Sequence, residues 1–120
     1  MYKSKRKLRS VDDFINFFSK TKAKDWTTGS YNIVDNNGHN KYCAVGWMIT
    51  TSKDAENAGA LIALGQQYSI RFLQVNDGKD NLFQQKTPRA RVLASLRWIR
   101  NKRDKMKKEG IRFAEAVARR

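Results

Sequence analysis

A chain of 120 residues, 40% hydrophobic and with three Trp, four Tyr and six Phe, holds one domain with a single core and is too apolar for full disorder. Its net charge of +14 sits at the ends: residues 1–24 carry eight Lys/Arg against two Asp/Glu, residues 86–120 carry thirteen against three, and the centre carries four against six. One cysteine excludes an intrachain disulfide and points to a reducing compartment, and no apolar run nears the ~20 residues of a membrane span, so a soluble, cytoplasmic protein is expected.

Residues 1–9 read as a basic, flexible arm; Asp12, Asp13 and Asn16 break the apolar stretch that would follow in a signal peptide. Ser10 with Asp13 resembles a capping box, and Val11, Phe14, Ile15 and Phe18 follow at helical spacing, which predicts a first helix burying one face. Trp26-Thr-Thr-Gly29 and Asp35-Asn-Asn-Gly38 are turn signals around an alternating Tyr31–Val34 segment. A short hairpin returning through residues 41–45 fits this pattern; a helix starting near Tyr42 competes with it and is preferred.

A second helix is expected over residues 54–68, with Ala55, Ala58, Leu61, Ile62 and Gly65 on one side. Residues 69–75 form a short apolar run, strand or helix, ended by Asn76-Asp-Gly78, and a polar loop follows to Lys86. Thr87-Pro88 opens the longest helix, with Thr as cap and Pro at the first position. Val92, Leu93, Leu96 and Ile99 form its stripe, after which the helix leaves the core and runs as a solvated arm to Gly110. Residues 111–120 add a short closing helix through Ile111, Ala114 and Ala118. The fold expected is mainly α, with α+β left open by the hairpin: an arm over 1–9, a globular domain over 10–100 and a basic arm over 101–120.

The cations Lys3, Lys5, Arg6, Lys7 and Arg9 at one end, and Arg97, Arg100, Lys102, Arg103, Lys105, Lys107 and Lys108 at the other, are the candidate nucleic-acid-binding residues. On a helical wheel the second set does not share a face, which suits phosphate neutralisation without base reading. The competing reading is a solvated helix with no ligand, although +14 exceeds the charge of about 2–8 that solubility calls for. The basic helix lacks a strong Trp/Phe/Leu face for a membrane surface.

An enzymatic reading would use Cys43 as nucleophile, His39 as base and Asp77 or Asp35 as orienter. A buried Cys43 and a surface His39 is the preferred alternative. One Cys and one His leave a structural zinc site two ligands short, and no cofactor motif is present, so no metal and no cofactor are expected. Asn76-Asp77 reads as an Asx turn.

Trp26-Thr-x-Gly29, Tyr42-Cys43-Ala-Val-Gly46, a small-residue helix, Asn76-Asp77 and Thr87-Pro88 resemble, over residues 10–100, a family of small bacterial and phage domains of unknown function. The resemblance implies a small, mostly helical domain around Cys43 and Asn76-Asp77, with no activity to carry over, and favours a phage or mobile-element origin. Trp47 after the glycine and both basic arms depart from the family's pattern. The expectation is a non-enzymatic basic protein that associates with nucleic acid, DNA or RNA without sequence preference, or with a nucleoprotein or virion assembly. The alternative partner is an acidic protein surface, for a capsid component or an inhibitor; homo- or hetero-oligomerisation is left open, and host cytoplasm or virion would be its place.

Overall fold

The computed structural model describes residues 7–119. The protein is mainly α with one short antiparallel hairpin: α1 (Val11–Ser19), β1 (Asn32–Val34), β2 (Asn40–Tyr42), α2 (Ala44–Ile49), α3 (Glu56–Gln67), α4 (Phe72–Asn76) and α5 (Pro88–Ala118).

The capping box at α1 forms: Ser10 Oγ accepts from Asp13 N, and the Asp13 carboxylate accepts from Ser10 N. Val11, Phe14, Ile15 and Phe18 are buried, as their spacing requires. Around Tyr42 the two competing readings turn out to be successive. Strand β2 ends at Tyr42, paired with Asn32, and Cys43 is the extended N-cap of α2. The hairpin loop is held by Asp35, whose Oδ1 accepts from Asn37 N and His39 N at 2.9 Å, with Gly38 at φ 74°.

Three expected boundaries change. Helix α3 starts at Glu56, because Asp54 and Ala55 both lie in the left-handed region, and Ile62 faces solvent rather than the core. The run after Ser69 is the single-turn helix α4. Helix α5 does not stop at Gly110: an isolated glycine weakens a helix by about 1 kcal/mol without ending it, and the separate closing helix merges into one element of 31 residues.

The N-terminal boundary also shifts. Leu8 is buried and its N–H donates to Asn57 Oδ1 at 2.9 Å, so the chain is anchored two residues before the α1 cap. The first six residues of the expected arm lie outside the described residues.

Helix α1 lies against α5, α4 packs on α5, and α2 packs on α3. Phe14, Phe18, Met48, Leu61, Val75, Val92, Leu96 and Ile99 fill one core. Two arginines near the start of α5 hold this arrangement together by capping other helices. Arg89 donates to Ser19 O and Thr21 O at and just past the end of α1, and Arg91 donates to Val75 O and Asn76 O at the end of α4 and to Gln85 O in the loop before α5. The molecule measures 67 × 32 × 21 Å, because α5, about 46 Å long, outruns everything packed on it.

Candidate functional site

Beyond Ile99 no residue of α5 is buried. Arg97, Lys102, Lys105, Lys107 and Lys108 are exposed and Arg100 is half-buried. None of these six forms an ion pair among the described residues. Lys102 places its ammonium over the Trp98 ring, 5.3 Å from the centroid. Arg103 differs from its neighbours: its guanidinium binds Asp12 Oδ2 at 2.9 Å and Asp104 Oδ1 at 3.0 Å, and these carboxylates raise its pKa above the ordinary arginine value. It ties α5 to the start of α1 and is a structural cation.

At the other end, Lys7 approaches Glu56 at 3.9 Å, and Arg9 is exposed with its backbone N–H bound to Asp13. Lys3, Lys5 and Arg6 lie outside the described residues.

A second assembly surrounds the start of α2. Cys43 Sγ accepts from Gly46 N at 3.4 Å, and Ala44 N donates to Asn76 Oδ1 at 3.0 Å. Asn76 Nδ2 donates to Thr27 O at 2.9 Å and to Asp77 Oδ1 at 3.1 Å, and that oxygen also accepts from Gly29 N. Asn76 is fully buried, so it is a bracket between three chain segments rather than the Asx turn expected. Gly46 has no room for a side chain: a Cβ there would stand 1.8 Å from Tyr31 O. Thr27, Gly29, Cys43, Gly46, Asn76 and Asp77 therefore meet at one place and have structural work there.

This place borders a cleft of about 460 Å³ lined by Gly29, Ser30, Tyr31, Cys43, Leu73 and Asp77. Burial pushes the Cys43 thiol up, opposed by the N–H groups of Gly46 and Val45 and reinforced by Asp77. His39 is elsewhere. Its Nε2 pairs with Asp25 in another cleft of about 420 Å³, beside Phe17, Lys20 and Trp47. Asp35 holds the hairpin loop, where the His39 and Asn37 N–H groups lower its pKa. The alternative Cys43–His39–carboxylate grouping is thus not assembled: Cys43 and Asp77 line one cleft, while His39 pairs with Asp25 in another and Asp35 holds the hairpin loop.

The sequence reading missed Phe113 and Val117, which stand exposed on the same line as Met106. Their signal is spacing: positions 92, 96, 99, 103, 106, 110, 113 and 117 alternate steps of four and three. Among the described residues no three His, Cys, Asp or Glu side chains converge on a metal position, and no helix is long and apolar enough to cross a membrane. No protein-family model matches the chain, and no curated protein or solved structure matches it either.

Proposed function

We propose that this protein is a basic binding module that associates with nucleic acid, within a nucleoprotein or virion assembly, through the cations of α5. The observation that supports it is the commitment of charge. Of the seven candidate cations on α5, only Arg103 is ion-paired within the described residues, while Lys105, Lys107 and Lys108 lie on the part of the helix that stands off the body. Ammonium and guanidinium groups on all sides of a rod can neutralise phosphates from several directions, releasing counterions, but cannot present one reading face to base edges. Binding without sequence preference follows.

The test is fluorescence anisotropy with one DNA duplex and one RNA duplex of unrelated sequence, on nuclease-treated protein. With six phosphates contacted, affinity falls about 10³-fold between 50 and 200 mM salt. Replacing Lys105, Lys107 and Lys108 by Gln lowers the salt slope by about 3 with little dependence on the duplex used. No association at 50 mM salt, or association that ignores salt, overturns the proposal.

A further inference from the structure

The apolar stripe of α5 does not end where the body ends. Val92 and Ile99 occupy d positions of a heptad whose a position is Leu96, and these three are fully buried in the core that α1 helps to form. The same 4-3 rhythm continues through Arg103, Met106, Gly110, Phe113 and Val117. At Arg103 the covering helix stops: this side chain is bound to Asp12 in the first turn of α1. Past it the seam lies bare, with Met106 61%, Phe113 72% and Val117 50% exposed. A seven-residue rhythm, apolar at six of its eight positions and broken at Arg103 and Gly110, marks a coiled-coil seam without its second strand.

Gly110 adds a second feature. It sits on the seam between Met106 and Phe113, nothing lies within 4 Å of where its Cβ would be, and glycine costs a helix interior about 1 kcal/mol against alanine. The molecule's own packing gives no reason for it. Opposite a second helix it is a notch between two large side chains, into which one knob from the partner fits.

The flanks choose the occupant. Arg100 and Lys102 border the seam at Arg103, where α1 leaves it, Lys107 and Glu109 border it between Met106 and Gly110, and Ala114 and Ala116 leave it uncharged beside Phe113. A second copy of this chain is disfavoured in both senses. Parallel pairing sets Lys102 beside Lys107 across the interface, and antiparallel pairing centred between Met106 and Gly110 sets Lys107 against itself. We infer that the distal seam of α5, Met106–Gly110–Phe113–Val117, receives an amphipathic helix of a partner protein whose flanks are acidic, taking up the seam where α1 leaves it. This goes beyond nucleic-acid association and does not depend on it, because Lys105, Lys108 and Arg112 lie off the seam.

The probe is a labelled synthetic helix of three heptads with Leu at a and d and Glu at e and g, titrated with the full chain after nuclease treatment at physiological salt. Binding is expected, weakened at least about tenfold by the double variant Met106→Ser, Phe113→Ser, each change removing a large apolar contact. The same peptide with Lys at e and g is expected not to bind. Both side chains are exposed, so the double variant keeps its fold, which far-UV circular dichroism checks, and it keeps every cation, so its affinity for the duplex DNA is unchanged. Equal binding of the Glu peptide to the double variant, or of the Lys peptide to the unaltered chain, overturns the inference. So does a concentration-dependent dimer, seen by sedimentation and abolished by the double variant, which would assign the seam to a second copy.

Discussion

Asn76 shows how a polar residue with a completely buried side chain carries structure. Its oxygen takes the N–H of Ala44, and its nitrogen serves Thr27 O and Asp77 Oδ1. Asn76→Ala strips partners from a backbone donor and a backbone acceptor in a region closed to water; the expected loss is about 1–3 kcal/mol, read as a lower urea midpoint with unchanged slope. The sequence marked the Asn-Asp-Gly corner but not this role, because its partners lie 32 and 49 residues away and no local pattern encodes such a distance. Cys43 gives a second prediction. The fold binds the thiol proton more tightly than the unfolded chain does, so the native thiol stays protonated at a pH where free cysteine begins to ionise. Its contribution is constant below the ordinary thiol pKa, and stability declines as pH rises above it. Iodoacetamide at pH 8 should alkylate the native protein well below the rate of free cysteine and match that rate in urea; fast native labelling would show a thiolate that the geometry around Cys43 does not provide.

Among the elements, α1 and the start of α5 were legible because their signals are local. The Ser10–Asp13 box and the Thr87-Pro88 cap lie within four residues of what they stabilise, and Thr87 Oγ1 accepts from Ala90 N as such a cap requires. The start of α3 was not legible, because two consecutive left-handed residues, Asp54 and Ala55, follow from how the chain must leave α2 rather than from their own preference. The end of α3 offers a test. Ile70 N donates to Gly65 O and Ser69 N to Gln66 O, the two bonds of a Schellman ending, with Ser69 at φ 57° where glycine is favoured. Ser69→Gly relieves a left-handed conformation costing about 1–2 kcal/mol and raises unfolded-chain entropy by somewhat less. A modest net rise in melting temperature is expected; Ser69→Val at the same position should lower it.

On the scale of the whole molecule, a compact body and a projecting helix are two physically different regions on one chain. A radius of gyration of 16.6 Å exceeds the ~14 Å expected of a compact chain of this length, and the distal half of α5 accounts for the excess. The charge asymmetry of the sequence foretold the projection, since a segment so rich in Lys and Arg has too little apolar surface to be drawn inward. The bare seam escaped notice because Arg103 interrupts the stripe, and only the geometry shows that this arginine is spent on Asp12. Shortening the chain to end at Lys105 separates the two regions. The shortened protein keeps the Arg103–Asp12 pair and every buried residue of the core, while like charges that repel one another are removed. Its unfolding free energy should stay within about 0.5 kcal/mol of the full chain. Its scattering radius should approach the compact value, and its affinity for duplex DNA at 50 mM salt should fall. A large loss of stability would mean that the distal helix packs on the body in solution, and its cations and its seam would then no longer be free to meet a partner.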